Sequence, residues 1–281
     1  MKRIGVLLTL LTLALWVFAL SAEAQGAKKK KKKPPAKKIE VPCPTVLNNI
    51  KDCVDTGCGK SLDPLLNQQK NTTQGDPDTA TNMTFSKFAK LPKFVRGYIG
   101  IGFPRDKIQE KGEGDMVRVV AWAIDSRPQN TRDKNKRGES CNCGFNGVDD
   151  PENTDVHIVL VSTPTLKLKA KAGGGKTAAQ NTLKKREAKS QTAEYTPRLR
   201  VARSEAFDGS KLKDLIDPKN GGKLKVRVTG LLLYDSEHAL GPFKLVRKTD
   251  WEIHPVFRFE FCPKDKTCLA ASDDNWVDIN K

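Results

Sequence analysis

The chain has 281 residues, of which 37% are hydrophobic and 30% charged, too polar for a protein that crosses a membrane many times and sufficient for one or two folded domains. Fifty lysines and arginines against 33 aspartates and glutamates leave a net charge of +17, a balance that favours polyanions or an anionic surface as partners.

Lys2 and Arg3 precede an apolar run from Ile4 to Leu20, and Ala22-Glu23-Ala24 follows. This order predicts a secretory signal peptide, residues 1–24, cleaved after Ala24, and so a secreted or periplasmic protein. The run of 17 residues is long for such a segment, and an uncleaved anchor is the alternative reading. Residues 25–40 hold eight lysines and Glu40 around Pro34-Pro35. Repulsion between like charges and a lack of apolar groups predict a disordered tail there. It reads as a solubilising spacer or as a hook for nucleic acid, acidic polysaccharide or anionic lipid.

Residues 41–110 read as a loop-rich, Cys-containing segment with one short helix. That helix spans Thr84 to Leu91, capped by Thr84 and stopped by Pro92. Asn71-Thr72-Thr73 and Asn82-Met83-Thr84 match the glycosylation sequon. Residues 111–262 carry the strand signals. Met116 to Asp125 and Asp155 to Val161 are rich in β-branched residues, and a short third strand includes Ala193 to Thr196. Asp208 to Ile216 predicts a helix with Leu212, Leu215 and Ile216 on one face. In Lys223 to Tyr234, apolar Leu224, Val226 and Val228 alternate with Lys225, Arg227 and Thr229, and Gly230 marks a bend or bulge. In Trp251 to Cys262, Pro255 argues for an edge position or a bulge.

Three strands, a helix and two further strands are the order of an OB-fold barrel: mainly β, five strands, with one helix between the third and fourth. Residues 165–191 interrupt it with seven lysines, one arginine and three consecutive glycines, a basic, mobile insertion. Residues 263–281 form a C-terminal tail. The seven cysteines, Cys43, Cys53, Cys58, Cys141, Cys143, Cys262 and Cys268, suit disulfides in an oxidising compartment, with at least one thiol left over. A zinc cluster is the rival, and it lacks a C-x-x-C pair.

A set of short motifs runs through the chain in order. They are Gly57-Cys58-Gly59 with Asp63-Pro64, Asn67 and Lys70-Asn71; Glu139-Ser-Cys141-Asn-Cys143; and Asp155-Val-His157. Thr196-Pro197-Arg198, Gly230 with Asp235-Ser-Glu237-His238, and Trp251-Glu-Ile-His254-Pro255 follow. Together they resemble a group of secreted bacterial OB-fold-like proteins of uncharacterised function, over about residues 43–262. The resemblance implies the fold and the compartment, and no substrate or activity. The lysine tail and the basic insertion depart from it.

All three histidines have acidic neighbours: Asp155 with His157, Glu237 with His238, and Glu252 with His254. Residues two apart on a strand share a face. These six are the candidate catalytic groups, and His157, His238 and His254 are candidate ligands for a divalent metal; no other cofactor is implied. The competing reading is structural, with each His tied to a carboxylate in a packed corner. Arg198 and Arg258 suit a phosphate. Arg118, Lys225 and Arg227, with Trp122 in the same alternation as Arg118, suit a polyanion that also stacks on an aromatic ring. A non-catalytic binding protein for nucleic acid or another polyanion is the leading expectation. A nuclease-like metal hydrolase and an envelope-associated interaction protein are the alternatives.

Overall fold

The computed structural model describes residues 40–42, 45, 50–60, 63–94, 105–128, 155–163, 188–205, 207, 209–217, 222–236 and 247–281. The signal segment, nearly all of the lysine tail, most of the insertion, Cys43, Cys141, Cys143, Glu237 and His238 lie outside the described residues.

The elements before the barrel are short. Strand β1 (Glu40–Val41) pairs with β2 (Gly59–Lys60), with a 3-10 turn at Ile50–Asp52 between them. Helix α1 (Pro64–Lys70) stands where the sequence reads as loop. Its start is chemically specified: the Asp63 side chain accepts a hydrogen bond from the Leu66 amide, and Pro64 occupies the first turn, where a missing N–H does no harm. Strand β3 (Thr81–Met83) leads into α2 (Phe85–Phe88), where the Thr84 hydroxyl caps the Lys87 amide as expected. The helix is shorter than the Thr84–Leu91 prediction because it ends in a turn at Ala89 and Lys90. Helix α3 (Asp106–Gln109) follows.

Strands β4 (Met116–Pro128), β5 (Val156–Val161), β6 (Gln191–Tyr195), β7 (Leu224–Tyr234) and β8 (Trp251–Phe261) close on themselves. The circuit runs β4–β5–β6–β8–β7 and back to β4, a five-stranded OB-like barrel. Every barrel pairing is antiparallel except β6 with β8. Outside the circuit, β3 pairs with β4 in parallel, and β9 (Val277–Asp278) pairs with β8. Between β6 and β7 lie two helices rather than the single one expected. Helix α4 (Pro197–Arg203) begins with Pro197 at its first turn, and α5 (Gly209–Ile216) matches the predicted segment. The left-handed Ser204 (φ 53°) ends α4.

Alternation builds the interior. Val117, Val119, Ala121 and Ala123 of β4 point inward with Ile158 and Leu160 of β5, Val226 and Val228 of β7, and Ile253 and Phe259 of β8. Leu212 and Ile216 of α5 join this core, and Phe207 stacks on Tyr195 at 3.9 Å between ring centres. Trp251 and Tyr234 meet Phe94, and the Trp251 indole N–H donates to the Pro92 carbonyl at 2.7 Å. The register between β7 and β8 slips on both sides of Gly230, so Pro255 sits in a bulge of an interior strand. A side chain at Gly230 would place its Cβ 2.4 Å from the Pro255 carbonyl oxygen, which explains the glycine.

All four described cysteines are in disulfides: Cys262 bonds Cys268, and Cys53 and Cys58 are bonded as well. Asn71 of the first sequon is buried and donates to the Asp55 carbonyl, whereas Asn82 of the second is exposed on β3. No helix among the described residues is long and apolar enough to cross a membrane.

A buried histidine and carboxylate cluster as candidate functional site

Strand register assembles the site. His157 on β5 lies directly opposite Glu194 on β6, and both point away from the barrel interior. Because β6 and β8 run parallel with Ala193 beside Ile253, the next residues along, Glu194 and His254, are neighbours too. Glu194 therefore sits between two imidazoles: Oε1 is 2.9 Å from His157 Nε2, and Oε2 is 3.2 Å from His254 Nδ1. The same Nδ1 is 3.1 Å from Glu252 Oε1. Two of the three histidines named from the sequence are thus brought together, with Asp155, Glu252 and His254 also buried here.

A chain of hydrogen bonds fixes the protons on His254. The Thr196 hydroxyl donates its one hydrogen to the Lys70 carbonyl of α1 at 3.2 Å, so at 2.9 Å it accepts from His254 Nε2. On the other side of the ring, ionised carboxylates only accept, so Nδ1 donates. His254 thus links α1 to the barrel wall through Thr196. Burial alone would raise the Glu194 carboxyl, but the two imidazoles outweigh it and hold the group well below the usual carboxylate range.

Arg247 closes the cluster. Its guanidinium lies 2.7 Å from Glu252 Oε2, 3.2 Å from Asp235 Oδ2 and 3.8 Å from Glu194 Oε1. Burial disfavours its charge, but the three carboxylates reverse the effect and raise its pKa above the ordinary arginine value. Lys70 of α1 reaches Asp235 at 3.8 Å. A second buried network adjoins: Arg105 grips Glu113 and the Tyr234 carbonyl, and Ser236 joins Arg105 to Asp63.

Glu194, Thr196 and Arg247 were not singled out as site residues from the sequence. Glu194 was within reach, since it alternates with inward Ala193 and Tyr195 on the strand beside His157. Arg247 lies in a stretch with no periodic pattern. Among the described residues of the set, His254, Glu252, Asp155 and Glu194 expose 3% or less, while the side chains of His157, 16% exposed, and Arg247, 9% exposed, approach the surface. A cavity of about 360 Å³ lies beside His254, Glu113, Gln68 and Gln69.

The cationic candidates divide. Arg227 is buried; it pairs with Glu260 and Asp273 and lies 5.0 Å from the Trp276 ring centre. Lys225 donates to the Cys268 carbonyl at 2.7 Å. Both hold the C-terminal segment onto the barrel rather than facing outward for a ligand. Arg198 donates to the Cys53 carbonyl and lines a surface cleft with Lys51, Asp55, Asn71 and Val201. Arg118 and Arg258 remain half-buried on the outer surface, in one cross-strand row with Thr229 between them. Arg258 pairs with exposed Asp78 at 2.8 Å, and the hydrogen bonds of Arg118 among the described residues are long, to Thr229 and the Pro77 carbonyl. Further along the same face of β4, Trp122 is half-buried, with Lys223 Nζ 5.7 Å from its ring centre.

Comparison of the chain with protein-family models, curated proteins and solved structures finds no match.

Proposed function

We propose that the protein is an extracytoplasmic, non-catalytic binding module that takes a flexible polyanion, a single-stranded nucleic acid above all, on the outer face of β4, β7 and β8. The observation that carries this reading is the row Arg118–Thr229–Arg258; farther along β4, past the stretch where the C-terminal segment covers Arg227 and Lys225, Trp122 and Lys223 add a ring and a cation. Guanidinium groups meet phosphates, and an aromatic ring offers a stacking platform that any base accepts. The net charge of +17 draws such a ligand from a distance. Beyond Trp122 the surface closes: its ring packs against Ile124, Val159 and Val161, and Thr192 and Glu194 on β6 are buried. Export accords with the bonded cysteines.

The test is a tryptophan-fluorescence titration with single-stranded DNA across salt concentrations. Binding should weaken steeply with salt, and Arg118→Ala and Arg258→Ala should each lower the slope of log K against log salt by about one. A flat titration at low salt, or slopes unaffected by both substitutions, overturns the reading.

A further inference from the structure

We propose that Asp155, Glu194 and His254 form a binding site for one divalent transition-metal cation, structural rather than catalytic. This inference goes beyond the polyanion reading and does not rest on it.

The three residues offer one nitrogen and two carboxylate oxygens that lie within 4.8 Å of one another, and all three are buried. They come from three neighbouring strands, Asp155 at the entry to β5, Glu194 on β6 and His254 on β8, so the barrel register holds the donors together. A mixed imidazole and carboxylate set suits zinc or manganese. Tetrahedral zinc with bonds of about 2.0–2.1 Å places its ligand atoms about 3.3 Å apart. Glu194 Oε2 and His254 Nδ1 are already at 3.2 Å, so Asp155 makes most of the adjustment.

The surroundings are those of a metal ligand set. His254 Nε2 is fixed by Thr196, which aims Nδ1 at Glu194. His157 and Arg247 engage Oε1 of Glu194 and leave Oε2 for the cation. The Arg247 guanidinium stays 3.8 Å from Glu194 Oε1, and its short pairing is with Glu252. In the present arrangement the Nδ1 proton occupies the place the cation would take. Binding is an exchange: the cation accepts the Nδ1 lone pair, one proton leaves for solvent, and no electron is transferred. None of the three donors exposes more than 3%, so the site braces the barrel wall, and a water from the cavity beside His254 completes the four-coordinate set.

The experiment uses the full chain. Metal content is measured after purification and again after chelation. Thermal unfolding is then followed with added Zn²⁺, Mn²⁺ and Co²⁺, and the visible spectrum of the Co²⁺ form is recorded. Expected are one tightly held metal per chain, a Tm rise of about 5 °C or more at a hundredfold excess over Kd, and tetrahedral Co²⁺ bands. Asp155→Asn should weaken binding at least tenfold, whereas Asp78→Asn, on the exposed pair with Arg258, should leave it unchanged. His254→Ala should abolish the Co²⁺ bands; where that variant does not fold, Asp155→Asn and the cobalt spectrum decide. Absence of stoichiometric metal together with an unchanged Tm for all three ions overturns the proposal. So does a folded Asp155→Asn chain that binds as tightly as the parent. Both readouts are independent of DNA binding, so this proposal and the functional reading fail separately.

Discussion

Replacing Glu194 by Gln tests the cluster most directly. The substitution keeps the side chain's shape and removes its charge. In the parent each carboxylate oxygen faces an imidazole nitrogen, at 2.9 Å and 3.2 Å. In the variant the amide oxygen serves one ring, and the amide N–H₂ is set against a donor on the other. Hydrogen bonds to charged groups contribute about 1.5–3 kcal/mol each, and leaving a buried charge without its partner costs about 3–5 kcal/mol. A loss of about 3–5 kcal/mol is therefore expected in urea unfolding at pH 7, followed through buried Trp251. The acid limb gives a second signature. The folded pKa of Glu194 lies below its unfolded value of about 4.3, so its stabilisation is complete above that pH and is lost as pH falls through the folded pKa. The variant should lose less on acidification than the parent does. A destabilisation under about 1 kcal/mol would refute the account of Glu194 as the shared anion of two imidazoles.

Three other outcomes follow from the packing. Gly230→Ala should destabilise by about 1–3 kcal/mol or more in the same assay, because the new methyl meets the Pro255 carbonyl; an unchanged midpoint would contradict the close approach. Replacing Cys262 and Cys268 together by Ala should cost about 2 kcal/mol, the chain-entropy value for a crosslink spanning six residues, read as a lower denaturation midpoint. Tyr195 and Tyr234 are both raised, by burial first and then by Glu205 and Asp250 respectively. Stability should hold below the unfolded tyrosine pKa of about 10 and fall above it, and absorbance should show two phenols that ionise only on unfolding.

The barrel was legible because it rests on period-2 alternation. In β7 and β8 apolar residues recur at every second position, and Gly230 and Pro255 announced the bulge where that pattern slips. Helices α1 and α4 were not, although each starts with the same local signal, Asp63-Pro64 and Thr196-Pro197, because each is only seven residues long, too short to show a helical period. The histidine site was half legible. His157 and His254 carried visible acidic neighbours, but the group that joins them, Glu194, becomes apparent only once β6 is placed between β5 and β8. The surroundings of Arg227 and Lys225 were hidden for a similar reason. Alternation places them correctly on the outer face, but it does not reveal that the last twenty residues fold back over them.

The position of β8 in the chain bears on how the protein is made. This strand pairs with β6, β7 and β9, and it follows the other four strands of the barrel in the chain. A nascent or truncated chain ending before that point has two open flanks, β6 and β7, each with unpaired backbone groups that invite other strands. Closure of the barrel therefore hinges on β8, and truncations or proteolytic nicks ahead of it should yield aggregates rather than smaller working domains.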